Sequence, residues 1–383
     1  MRDYQITKVV IEDRALSLLP RGVVDRLQRV FGIKSVVRRG DGTIPISSFE
    51  EAKQTLVIRE HPESLLKPCP GTGKGYLCCG YMVVNQPIGC PLDCNYCVLQ
   101  SYLGLTPLTL WANSMDLYSQ LQLLRPGQPG RSVRIGNGEL ADSLALDYVT
   151  GLSSYFVEQF GNRDDVVFEF KTKTDEIDGL LQYSPPPNIV VSWSMNPSRI
   201  AVQEHSSCPP LGRIRAAGMV QRKGYTLAFH FDPIVFYEGW EQDYEKLVES
   251  IFNTIDGSGI IWISLGTLRF PPGLREIVRD RFVPDGLLCG EMIRGTDGKM
   301  RYLKPLRVML LRKLYKLLKP RAPRAFFYMC MESEDVWRRV MGFAPRSNAH
   351  LCRLLEEHSH AFITFGHTCR ATIPCDEMLR RQQ

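Results

Sequence analysis

Six short runs rich in β-branched and aromatic residues constrain this chain more than any other feature. They are GYMVVNQ (80–86), SVRIGN (132–137), DVVFEFK (165–171), NIVVSWS (188–194), YTLAFHF (225–231) and GIIWISL (259–265). Runs of this length and composition read as buried strands. The gaps between them mostly reach twenty residues or more, and SMDLYSQLQLL and EQDYEKLVESIFNTI within them have helical spacing. Strand then helix, repeated six times, predicts an α/β fold with a parallel sheet and right-handed crossovers, curled into a partial barrel. A seventh run, AFFYMCM (325–331), is an added strand. Residues 1–75 read as an N-terminal extension, 76–266 as the barrel and 267–383 as a C-terminal extension. In the first of these, LPRGVVDRLQRVFG is helical and TLVIREH extended. PGTGKG (70–75) imitates a phosphate loop but has Gly75 in place of Ser or Thr and Pro68 in place of the first glycine, so it is a connector.

Composition narrows the class. The 383 residues are 44% hydrophobic and 23% charged, the balance of a soluble globular protein. MRDYQITKVV is too polar for a secretory h-region, and RVMLLRKLYKLLK is broken by basic residues too often to span a membrane. The expected compartment is the cytoplasm, with no membrane partner. Twelve cysteines there point to reduced thiols and metal chemistry rather than a disulfide framework.

The net charge of +6 is concentrated. Between Arg294 and Arg324 stand eleven Lys or Arg against one acid, Asp297. Within this segment, 304–321 reads as a helix opened by Pro305 and ended before Pro320. Leu306, Met309, Leu310, Leu314 and Leu317 would face the core. Arg312, Lys316 and Lys319 would form a basic stripe beside the mouth of the barrel, suited to the phosphates of DNA. A membrane-surface helix is the rival reading.

IGCPLDCNYCVLQ (88–100) carries cysteines at 90, 94 and 97, directly after the first strand. Three thiols on a loop bent by Gly89 and Pro91 are too many for chance core cysteines. A zinc site, in a nucleic-acid-binding module, would need Cys78 or Cys79 as a fourth ligand. An iron–sulfur cubane held by three thiolates would keep one iron open.

The spacing, with Tyr96 directly before the last cysteine, resembles that of the radical S-adenosylmethionine (SAM) enzymes. That resemblance implies a partial (β/α)6 radical-SAM barrel and a [4Fe-4S] cluster on Cys90, Cys94 and Cys97. S-adenosyl-L-methionine would sit on the open iron and be cleaved reductively to a 5′-deoxyadenosyl radical. The electron would come from a donor such as flavodoxin or ferredoxin. GNGE (136–139) ends the second strand, where Gly136 and Gly138 permit close approach and Glu139 offers an acceptor for the cofactor's ammonium. Tyr96 would line the loop wall. Lys173 and Ser194, at the ends of the third and fourth strands, are further cofactor contacts or else solvated strand ends.

TKTDEIDGLL (172–181), SWSMN (192–196) and PIVFYEGWEQDY (233–244) resemble, more closely, the spore photoproduct lyase family of DNA-repair enzymes. The likeness covers roughly residues 80–265. It implies Lys173, Ser194 and Asn196 near the cofactor and damaged DNA, a cross-linked thymine dimer, as substrate. Two positions depart from the family. Its hydrogen-returning cysteine falls on Glu139, and the tyrosine after the third cluster cysteine is Val98. The reaction is therefore either lesion cleavage with another hydrogen source, for which Cys330 at the end of FFYMC is the candidate, or chemistry on a non-DNA substrate. In either case Glu139 is a candidate catalytic residue. The tail holds His350, His358, His360 and His367 with Cys352, Cys369 and Cys375, but no zinc spacing, so core cysteines and surface histidines are expected.

Overall fold

The seven expected strands lie side by side in one sheet. They are β1 (Met82–Val84), β2 (Val133–Gly136), β3 (Val166–Thr172), β4 (Ile189–Ser194), β5 (Thr226–Ile234), β6 (Ile260–Thr267) and β7 (Phe326–Met329). In this computed structural model they run in chain order, each parallel to its neighbour, with Leu66–Pro68 antiparallel on the β1 edge. The structure describes residues 4–365 apart from 20, 32–35, 40–43, 62, 72–74, 114–116, 118, 121–129, 162 and 284–285. Sequential parallel order makes every crossover turn the same way, and the sheet curls as it grows. All residues of β4, β6 and β7 are buried, as strands covered on both faces must be. Trp240–Phe252 follows β5 as expected and buries Trp240, Tyr244, Leu247, Val248 and Ile251 along one stripe. SMDLYSQLQLL lies largely outside the described residues. Among the described residues no helix is long and apolar enough to cross a membrane.

A second sheet is ordered Val36–Arg39, Lys8–Glu12, Thr55–Arg59, Leu108–Trp111 and Pro87–Ile88. The expected N-terminal helix is Arg21–Phe31, and TLVIREH supplies the strand at 55–59. Its last two strands come from beyond residue 75, and the cysteine loop is the segment between them. The middle of that loop, Asp93–Cys94, pairs antiparallel with Glu204–His205. The loop is thus tied down at both ends and at its centre.

Two expectations about the C-terminal part need correction. The helix Lys304–Leu318 is the crossover between β6 and β7 and turns Arg307, Leu310, Leu311, Leu314 and Leu318 inward, while Met309 is exposed. Arg307 is drawn in because Glu332, also buried, accepts from it at 3.0 Å and the Tyr302 carbonyl at 2.6 Å. As a crossover the helix starts at the carboxyl ends of the strands and carries Arg312 and Lys316 away from them. Arg312 donates to the Arg339 carbonyl at 3.1 Å, and Lys313 pairs with Glu241 and Glu245. The stripe is a flank of the fold rather than the rim of a mouth. In the tail helix Asn348–Phe365, His358 is buried against the Ile261 carbonyl at 2.9 Å, and burial holds its pKa down at about 4. It is a neutral core histidine, not a surface one. His367, Cys369 and Cys375 lie outside the described residues.

Candidate active site

The carboxyl ends of the parallel strands and the cysteine loop enclose a cavity of about 300 Å³, the place where open α/β sheets bind ligands. Cys90, Cys94 and Cys97 all line it. Gly89, at φ +89°, sets up the turn in which Cys90 stands, a conformation glycine adopts without strain. Burial pushes the Cys90 thiol up to about 12. Burial likewise carries Cys94 well above the ordinary range, against the pull of Lys173. Among the described residues no three His, Cys, Asp or Glu side chains stand in a ready metal-binding geometry. The donor set itself is three soft thiols facing one space. Cys79 also lines the cavity, whereas Cys78 is not among its lining residues. The set fits a group that takes three protein thiolates and keeps a position open.

The other sequence candidates divide into those that line the cavity and those that stand behind it. Tyr96, Gly138, Glu139, Lys173, Ser194 and Cys330 line it. Lys173 carries its ammonium 5.9 Å from the centre of the Tyr96 ring. Burial opposes the charge, but Glu204 and Cys94 outweigh burial and raise its pKa. A side chain at Gly138 would place its Cβ 2.7 Å from the Lys171 Cβ and 2.9 Å from the Ser143 hydroxyl, so glycine lets the turn lie against β3. Glu139 is ion-paired with Lys171. Cys330 accepts from the Arg269 guanidinium at 3.3 Å, and burial raises its thiol to about 12, so it carries its hydrogen at neutral pH.

Gly136 and Asn196 do not line the cavity. A Cβ on Gly136 would lie 1.9 Å from the Tyr81 hydroxyl and 2.5 Å from the Glu169 carbonyl, which makes this glycine a packing residue. Asn196 is buried behind the wall, donating to Glu204 at 3.0 Å and to the Tyr96 hydroxyl at 3.3 Å, and accepting from Tyr244 at 3.1 Å.

Several groups escaped the sequence reading. Asp142 staples the loop after β2 to the end of β3, accepting from the Lys173 amide at 2.7 Å, the Thr172 hydroxyl at 2.7 Å and the Ala145 amide at 2.9 Å. Glu169 bonds His230 at 2.7 Å and accepts from the Trp262 ring nitrogen at 3.2 Å. Although burial opposes its charge, His230 and Arg134 hold its carboxyl well below the carboxylate range. Asp232 forks onto Arg269 with two bonds of 2.9 Å. Cys69 and Lys299 complete the far wall. One signal was available: Glu169 and Lys171 alternate along β3, with Lys173 in step just past its end, a polar face inside an apolar run.

With the geometry described, three comparisons bear on it. The family model for spore photoproduct lyase matches residues 35–294. The spore photoproduct lyase of Bacillus subtilis (strain 168) is 28% identical over 253 residues, 63% of this chain and 72% of that protein. The one from Geobacillus sp. (strain Y412MC61) is 28% identical over 249 residues, 64% and 68% of the two chains. Among solved structures, spore photoproduct lyase complexed with dinucleoside spore photoproduct superposes with a TM-score of 0.73 at 21% identity, covering 85% of this chain and 99% of that one. A spore photoproduct lyase variant with bound AdoMet and dinucleoside spore photoproduct gives 0.72 at 22% identity, with the same coverage. Both share the curled sheet.

Proposed function

The chain belongs to the spore photoproduct lyase family, and from that premise we propose that it is a radical S-adenosylmethionine enzyme, a carbon–carbon lyase that repairs spore photoproduct in DNA. The observation that carries this reading is the convergence of Cys90, Cys94, Cys97, Lys173, Ser194 and Cys330 on one cavity. Cys90, Cys94 and Cys97 would hold a [4Fe-4S] cluster, which together with S-adenosylmethionine would supply radical chemistry able to abstract a hydrogen from the lesion. The electron comes from a small donor protein of the flavodoxin or ferredoxin class. The expected compartment is the cytoplasm.

The chain's own residues bind, orient and finish. Lys173 and Ser194 offer a cation and a hydroxyl to the cofactor's polar groups, and Glu139 offers its carboxylate, shared with Lys171. Gly138 keeps that turn close to β3. Tyr96 walls the loop, and Asn196 holds it from behind. Neither partner of the Glu139–Lys171 pair can return a hydrogen atom readily, because O–H and N–H bonds are stronger than S–H. Cys330 could, since its thiol is protonated and faces the cavity; the thiyl radical left behind would be returned to the thiol by one electron from the donor protein and a proton. A distorted lesion is also cheaper than an intact base to lift from the stack into such a site.

Reduced enzyme given S-adenosylmethionine and spore-photoproduct DNA is expected to release restored thymine, read by mass spectrometry. Normal 5′-deoxyadenosine release with no thymine would overturn the substrate and favour the second reading, a non-DNA substrate, which the charged Glu139–Lys171 wall supports. In Cys330→Ala, thymine yield is expected to fall at least tenfold while 5′-deoxyadenosine continues and adducts accumulate. Full, clean repair would remove Cys330 from the mechanism.

The same DNA tests the basic helix. Arg312→Glu with Lys316→Glu is expected to leave the salt dependence of DNA affinity unchanged. If these side chains did neutralise phosphates, the slope would fall by about 0.9 for each phosphate released. A flattened slope would return the helix to the interface.

A further inference from the structure

Behind the cysteine loop lies a charged cluster whose role is not accounted for by binding cofactor or substrate. Glu204 pairs through its backbone with Cys94, and the adjoining Asn95 is held by Gln203, amide to carbonyl at 2.9 Å and side chain to side chain at 2.6 Å. The segment after β4 therefore clasps the loop residue by residue. The Glu204 side chain is completely buried, as is that of Arg213, and the two form an ion pair. Glu204 also accepts from the Tyr96 hydroxyl and from Asn196. The remaining donors of Arg213 reach the Ser194 carbonyl at 2.8 Å, the Cys208 carbonyl at 2.6 Å and the Ser207 hydroxyl at 2.7 Å. One network thus joins the end of β4, the clasp and the cysteine loop.

The charges in this network do not cancel. Glu204 is one carboxylate facing two cations, Arg213 and Lys173, and both cations act on Cys94 or its neighbours. Removing either partner of a buried pair leaves the other uncompensated, so the field at the loop responds strongly to each. Iron–sulfur potentials are set by net charge, by hydrogen bonds and by burial around the cluster.

We propose that Glu204 is a positioning residue that fixes the cysteine loop through Tyr96 and sets the reduction potential of the group loaded on Cys90, Cys94 and Cys97. The inference rests on the cluster reading above. With the carboxylate gone, Arg213 and Lys173 face the cluster alone and favour its reduced, more negative state. The midpoint then moves to more positive values. Lys173→Gln removes a cation from the same field and moves it the other way.

The test is a redox titration, followed by electron paramagnetic resonance, of anaerobically reconstituted wild type, Glu204→Gln, Glu204→Asp and Lys173→Gln, each with its iron counted. Glu204→Gln is expected to keep wild-type iron and to raise the ratio of reduced to oxidised cluster roughly tenfold at fixed poise, about 59 mV for a one-electron couple. Glu204→Asp should return the midpoint toward wild type, which a loss of packing alone would not do. Wild-type iron with an unmoved midpoint in Glu204→Gln overturns the inference. If Glu204→Gln does not fold, Lys173→Gln decides: a shift to more negative values supports the field argument, and no shift or a positive one overturns it. Wild-type protein that takes up no iron sinks the cluster reading itself, a result distinct from all of these.

Discussion

Cys94→Ala is expected to abolish both iron retention and 5′-deoxyadenosine formation, taking reconstituted protein from about four irons per chain to background. Cys90→Ala and Cys97→Ala should do the same, because a cubane held by three thiolates has no ligand to spare. Cys94 is the most telling of the three, since it is buried and lies at the clasp with Glu204. Cys330→Ala and Cys208→Ala are the controls. The first thiol lines the cavity beyond the loop, and the second is outside the lining. Both variants should keep full iron and sulfide and the visible absorption of the cluster. A Cys94→Ala protein with undiminished iron would place the cluster elsewhere and undo the proposed function.

Gly136→Ala is expected to destabilise the fold by about 3 kcal/mol, the upper end for overpacking a tight site. The new Cβ would meet the Tyr81 hydroxyl at 1.9 Å and the Glu169 carbonyl at 2.5 Å. Residue 169 is the ladder partner of Gly136 on β3, so its carbonyl cannot move without breaking the sheet. Adding Tyr81→Phe removes the closer atom but leaves the carbonyl, and should rescue stability only in part. Gly273→Ala is the comparison: nothing lies within 4 Å of its Cβ position and φ is −63°, so its effect should stay within about 0.5 kcal/mol. Urea unfolding midpoints at constant slope measure all three. Unchanged stability with weakened S-adenosylmethionine binding would restore Gly136 to the cofactor site.

The barrel was legible because its strands are largely buried on both faces, which writes them into the chain as predominantly apolar runs from Met82 to Met329. The cysteine spacing was legible because all three ligands lie on one loop. What stayed hidden was made by tertiary contact. Pro87–Ile88 and Leu108–Trp111 are too short to show a period, yet they join the N-terminal sheet. Lys171 gains its role only from Glu139, 32 residues earlier, which pairs with it at the cavity wall. Arg307 shares a helical face with Leu311, Leu314 and Leu318, where a charge is not expected, and only contact with buried Glu332 explains it there. Glu204 and Arg213 carry no motif at all. Their importance comes from where the clasp brings them.

The two sheets also share custody of the cysteine loop, with a consequence for how iron loss is interpreted. Leu108–Trp111 is held between Thr55–Arg59 and Pro87–Ile88, so deleting the first 75 residues would not trim a spare module. It would strip the inner neighbour from the strand that ends the loop and leave a bare edge in its place. Leu56 and Ile58, both wholly buried, make that edge depend on residues more than thirty positions before Cys90. A truncation or a core substitution there would release iron as completely as the loss of a thiolate. A metal assay alone would score a collapsed scaffold as a missing ligand. Reading ligation from iron content therefore requires, for every variant, that the upstream sheet be shown to stand.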